Sequence, residues 1–165
     1  MRDERFERLY DEHAQGLFGF LVYRTGDRAL AEDLVADTFE RALRARRRFD
    51  PRKGSAKTWL YSIALNRLRD HARRAASEGR ALETLEGRAA GSEPAEGREA
   101  ELVAQRATLA HALEALAPEE REAIALRFAG DLSLKEIARV TGVPMTTAEG
   151  RVYRALGKLR DLLEE

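Results

Sequence analysis

The chain has 165 residues, 44% of them hydrophobic and 35% charged, enough apolar material for one packed domain or two small ones under a hydrated surface. The absence of cysteine excludes disulfides, thiolate metal sites and a cysteine nucleophile. No apolar run approaches membrane-spanning length and Met1-Arg2-Asp3-Glu4-Arg5 does not open a signal peptide, so a cytoplasmic protein without membrane insertion is expected.

The formal charge of zero conceals a division along the chain. Residues 1–40 hold five arginines against ten carboxylates, whereas residues 41–74 hold twelve Lys or Arg against Asp50 and Asp70 alone. Such segregation indicates one surface for a basic protein partner and another for phosphates.

In chain order, Phe6, Leu9, Tyr10, His13, Leu17, Phe20 and Leu21 recur at helical spacing and predict a helix over 3–24. Leu34, Val35, Phe39, Ala42 and Leu43 predict a second over 31–48. After a loop, Phe49 to Ser55, that carries Pro51 and Gly54, Trp59, Leu60, Ile63, Ala64 and Leu68 predict a third over 56–74. Residues 77–103 contain no aromatic residue, four glycines, Pro94 and many glutamates. Such a stretch buries too little apolar surface to offset the entropy of ordering, and it reads as a flexible acidic tether with a weak local helix around Leu82 and Leu85.

Beyond the tether, Ser133-Leu134-Lys135-Glu136 has the form of a capping box and opens a short helix with Leu134, Ile137 and Ala138 on its apolar side. Thr141-Gly142-Val143-Pro144 makes the turn, because Gly accepts left-handed geometry and Pro disfavours helix before it. Thr146-Thr147-Ala148-Glu149 has the form of a second capping box. The helix after it places Val152, Leu156, Leu159 and Leu163 on one buried face, and Thr147, Arg151, Arg154 and Lys158 almost opposite. Short helix, glycine turn and long basic helix, in that order, form a helix-turn-helix whose second member suits a major groove; a plain helical hairpin with a solvated basic face is the competing reading. The fold expected is all-α: an N-terminal helical domain over 1–76, the linker 77–103, and a C-terminal helix-turn-helix domain over 104–165.

Asp33, Asp37 and Glu40 share a helix face away from the apolar stripe. Alone they read as a solvated acidic face; beside the basic segment they also suit docking of a basic helical partner. On the third helix Trp59, Tyr61, Asn66, Arg67, Arg69, His71, Arg73 and Arg74 mix aromatics with cations, a combination that holds single-stranded nucleic acid by stacking and charge. Trp59 lies on the apolar stripe and reads as core. Asn66 suits a base edge or a neighbouring backbone group equally, and Arg73 and Arg74 suit phosphates or the helix dipole. His13, His71 and His111 share no metal-ligand spacing, and no nucleophile elbow, phosphate-cradling loop or acid/base pair is present, so neither catalysis nor a cofactor is expected.

Taken together these segments resemble the extracytoplasmic-function (ECF) type sigma factors of the sigma-70 family. Residues 31–43 resemble that family's polymerase-binding helix, Thr58 to Asn66 with Arg67 to Arg74 its promoter-melting helix, Leu113 to Arg121 the opening of its second domain, and Val143 to Arg160 its recognition helix. The resemblance implies that Asp33, Asp37, Glu40 and Arg41 face core RNA polymerase. It implies that Tyr61, Asn66, Arg67, Asp70, Arg73 and Arg74 meet melting promoter DNA, and that Thr147, Gly150, Arg151, Tyr153, Arg154 and Lys158 meet duplex. It further implies an anti-sigma factor as regulator. The alternative is a stand-alone helix-turn-helix regulator with a sensing or dimerisation domain in residues 1–76; a helical adaptor that binds only protein is more distant. Where the family usually carries a cation and then Ser, this chain has Glu149 and Gly150. Glu149 is expected to cap the helix, and Gly150 to lower helix propensity by roughly 1 kcal/mol.

Overall fold

The computed structural model describes residues 1–79 and 97–165, and every regular element among them is helical. Helix α1 (Asp3–Thr25) ends where Gly26 turns left-handed at φ 64° and donates its N–H to the Val22 carbonyl. Asp27 then caps α2 (Arg28–Ala45), its carboxylate accepting from the Leu30 N–H, so this helix starts three residues before the apolar pattern does. A 3₁₀ turn (Arg46–Arg48) and a loop lead to α3 (Ala56–Ser77), capped by Ser55 through the Thr58 N–H. These three helices bury one face each, from Leu17, Phe20 and Leu21 through Leu34 and Phe39 to Leu60, Ala64 and Leu65.

Helix α4 (Arg98–Glu114) is followed by α5 (Pro118–Ile124), whose last turn widens into a π-turn at Ala125–Ala129. Arg121 fastens the two, donating at 2.9 Å to the carbonyls of Leu113 and Glu114 at the C-terminus of α4, where the helix leaves acceptors open. Helix α6 (Leu134–Thr141) carries the expected capping box in full, with Ser133 and Glu136 each accepting from the other's backbone, and Gly142 closes it at φ 71°.

The last helix, α7 (Met145–Glu164), departs from expectation. It begins directly after Pro144, whose ring-locked φ of −60° and accepting carbonyl start the helix ahead of Thr146. Thr146 and Glu149 therefore form no capping box, and Glu149 is exposed in the second turn. The buried face is Ala148, Val152, Ala155 and Leu159; Leu156 and Leu163, expected inside, are 37% and 47% exposed.

The expected linker is helical at both ends, since α3 runs to Ser77 and α4 starts at Arg98; the weak helix around Leu82 and Leu85 lies outside the described residues. The two helical units also share one continuous core. Tyr61 of α3, 1% exposed, joins them: its ring packs 5.7 Å from that of Phe20, and its hydroxyl lies 3.5 Å from the Gly130 carbonyl at the end of the π-turn. Around it Lys57 donates to the Asp131 carbonyl at 2.7 Å, and Glu122 stands between Arg24 at 3.9 Å and Arg69 at 3.7 Å.

Candidate polymerase and nucleic-acid interfaces

On α2, Asp33, Glu40 and Arg41 are exposed, and Glu40 pairs with Arg44 at 2.5 Å one turn on. Asp37 differs. It is half-buried and held by the Arg67 guanidinium of α3, with Arg41 at 3.6 Å on its other side. Arg67 in turn reaches Asp70 at 3.4 Å, and Asp70 accepts from Arg73. The Arg73 hydrogen bond holds the Asp70 carboxyl below the usual carboxylate range. Residues expected to serve polymerase and residues expected to serve DNA thus form one ionic chain, Asp37–Arg67–Asp70–Arg73, across the α2–α3 seam.

On α3 the predicted residues divide. Asn66, Arg73 and Arg74 are exposed, while Tyr61 is inside the molecule, where burial pushes its phenol far above its ordinary pKa. In this arrangement Tyr61 is an interior residue, because the second unit packs over the face of α3 from which it projects. His13, expected to be packed, is half-buried; burial first, then Lys57, lowers its pKa.

Sequence reasoning missed a cleft beside α3. About 190 Å³ in volume, it is lined by Phe49, Asp50, Gly54, Ser55, Thr58, Trp59 and Ser62, with Arg48 and Lys53 on its cationic rim and Arg139 of α6 against it. Trp59 is only partly buried and packs its ring 5.2 Å from that of Phe49, so two aromatic surfaces border polar hydroxyls. Hydrogen bonds from the Arg52 backbone N–H and then from its guanidinium hold the Asp50 carboxyl below its usual range. Trp59, Ser62 and Asn66 follow one another at i, i+3 and i+7, so the cleft continues along the exposed edge of α3. The signal available in sequence was an aromatic before the Pro51–Gly54 loop and another just after the Ser55 cap.

On α7, Tyr153 and Arg154 are exposed, and Thr147, Gly150 and Arg151 are half-buried. Gly150 permits a close approach: an added Cβ would lie 2.8 Å from an Arg154 guanidinium nitrogen. Lys158 donates to Glu120 at 2.9 Å, and Glu120 is buried, so this lysine is engaged in fastening α7 to α5.

A capped short helix, a left-handed glycine turn and a long helix with exposed Arg154 and Tyr153 define a helix-turn-helix protein with a second, three-helix unit that carries an aromatic cleft. The family model for Sigma-70 region 2 matches residues 9–78, and that for Sigma-70, region 4 matches residues 106–159. RNA polymerase sigma factor CarQ of Myxococcus xanthus is 34% identical, over 98% of this chain and 91% of its own length. ECF RNA polymerase sigma factor BldN of Streptomyces coelicolor is 33% identical over 98% of this chain, which spans 61% of that protein's length. Among solved structures, the sigma factor RpoE in complex with the anti-sigma factor NepR from Bartonella quintana superposes with a TM-score of 0.77 at 25% identity, covering 98% of both chains. The chain belongs to the ECF-type sigma factors of the sigma-70 family.

Proposed function

We propose that this sigma factor docks on core RNA polymerase through the α2 face of Asp33, Asp37, Glu40 and Arg41 and directs promoter recognition, melting and initiation through α3 and α7. An unstacked promoter base enters the cleft beside the packed Phe49 and Trp59 rings, where stacking on an aromatic face and the hydroxyls of Ser55, Thr58 and Ser62 offset the few kcal/mol of unstacking. Asn66 lies next along the edge, and Arg73 and Arg74 neutralise the strand's phosphates. Duplex further upstream is gripped by Thr147, Gly150, Arg151, Tyr153 and Arg154, with arginine reading guanine through its major-groove acceptors; Lys158 contributes chiefly to holding α7. The single observation that carries this reading is that one chain combines a cationic, aromatic cleft with a helix-turn-helix. Catalysis belongs to the polymerase, and the chain itself is a non-enzymatic initiation factor of the cytoplasm.

A stand-alone regulator is disfavoured by the match to region 2 over residues 9–78, where that reading needs a sensing or dimerisation domain. An anti-sigma factor is the expected regulator. Its apolar surface has a place to dock in a groove of about 320 Å³ between α1, α4, the π-turn and α7, where Tyr23, Phe128 and Leu156 are exposed.

The test replaces Asp33, Asp37 and Glu40 together by Asn, Asn and Gln. Core polymerase should no longer retain the variant, and run-off transcription from a responsive promoter should fall at least about tenfold, as expected when complementary charge is removed from an association. Retention equal to that of the unaltered chain would refute the docking face.

A further inference from the structure

All but one of the residues around the Phe49–Trp59 cleft belong to the first helical unit. The exception is Arg139, which extends from α6 of the helix-turn-helix and lies against the cleft. Its approach is close. A Cβ added at Gly54 would stand 3.0 Å from Arg139 Nε and 3.3 Å from its Cζ, so the bare glycine backbone is what leaves room for the guanidinium. The position is fixed by interactions just ahead of α6: Lys57 to the Asp131 carbonyl at 2.7 Å, and the interior Tyr61 against Gly130. A guanidinium is planar and cationic, a shape and charge suited to a cleft lined, as this one is, by an aromatic ring and a carboxylate, Trp59 and Asp50.

We propose that Arg139 is an internal plug: with α6 packed on α3 it occupies the mouth of the cleft and excludes single-stranded DNA until the two units part. The inference rests on the reading of the cleft as a base site. It gives α6 a second task besides supporting the recognition helix. One movement of α6 away from α3 would free the cleft, expose Tyr61 on the promoter-facing side, and release the helix-turn-helix for duplex. Polymerase, by binding the parted form better, supplies the differential affinity that the shift requires. The apparent affinity of the free chain for a single strand is then the intrinsic affinity multiplied by the fraction of molecules with the cleft unplugged.

The sign of the effect makes this testable. Removing an exposed arginine from a nucleic-acid-binding protein ordinarily weakens binding. Here Arg139→Ala, and Arg139→Gln as a second variant that keeps length and polarity, should tighten binding of the free full-length chain to a fluorescent random-sequence single-stranded DNA oligonucleotide. The expected improvement is about threefold or more, read by anisotropy with far-UV dichroism confirming the fold. Unchanged or weaker binding by both variants overturns the plug. Adding Trp59→Ala to Arg139→Ala should abolish the improvement. Its persistence in that double variant overturns the cleft as the binding site, and with it the base-site reading, whereas its loss only on adding Trp59→Ala supports both.

Discussion

Replacing Tyr61 by Ala and by Phe measures whether the two helical units pack together in solution. Tyr61 is 1% exposed, with its ring against Phe20 and Gly130. Truncating a buried aromatic of this size removes its transfer free energy and leaves a cavity, a loss of about 3–5 kcal/mol. That is a large share of the 5–15 kcal/mol or so that a chain of this kind possesses. Tyr61→Phe removes only a hydroxyl whose carbonyl partner is at 3.5 Å, the outer limit of a hydrogen bond, so the loss should stay below about 1 kcal/mol. Urea denaturation followed by far-UV dichroism reads both. At the slope of roughly 1–3 kcal/mol per molar usual in urea, Tyr61→Ala moves the midpoint down by about 1 M or more, and Tyr61→Phe by a small fraction of that. If the units were separate, Tyr61 would keep only its packing on Phe20 of its own unit, and truncating it would change stability by about 1 kcal/mol or less. A midpoint shift that small in Tyr61→Ala refutes the shared core.

Glu149 is exposed in the second turn of α7 and serves no cap, so Glu149→Lys should strengthen holoenzyme binding to promoter duplex. The plot of log affinity against log salt should steepen by about one unit for each additional phosphate neutralised; an unchanged slope by filter binding would place Glu149 away from DNA. His13 has a folded pKa below 6.5, lowered by burial and then by Lys57, with Glu12 and Glu136 opposing. Between the folded and unfolded values the unfolded chain binds more protons, so stability is lost as pH falls through that window. The melting temperature should therefore decline as pH falls through and below the ordinary imidazole value of about 6.5, and His13→Gln should flatten that part of the profile; an equally steep decline in the variant would assign the loss to other groups.

What the sequence disclosed and what it concealed follow from the range of the interactions involved. Helices α1 to α3 and the Ser133–Glu136 capping box were legible because their causes lie within four residues of one another: apolar spacing, a cap, a glycine stop. The Asp27 cap is equally local and was passed over only because the apolar pattern starts later. The Thr146–Glu149 box shows the limit of a motif read by form. Both residues are present, but Pro144, two positions earlier, had already set the helix start through its ring-locked φ. Tyr61 could not be placed at all, since its burial is decided by Gly130, 69 residues on. The same holds for Lys158, which looks like a DNA contact on a helical wheel and is held by Glu120, 38 residues back.

The ionic chain from Asp37 to Arg73 also alters how the two functions of the first unit relate. Had the acidic stripe and the basic helix been independent, polymerase docking and strand capture would be separate events on separate faces. Instead Arg67 holds a carboxylate on each side, Asp37 from α2 and Asp70 from its own helix. If polymerase docks on the α2 face as proposed, a group that draws Asp37 toward itself would release charge on Arg67, close along α3 to the exposed Arg73. Conversely, Asp37 and Asp70 hold Arg41, Arg67 and Arg73, three of the twelve cations of residues 41–74. On the proposed function, the carboxylate that pairs with Arg67 across the seam belongs to the docking face, so polymerase binding would lower the cost of turning that guanidinium toward DNA.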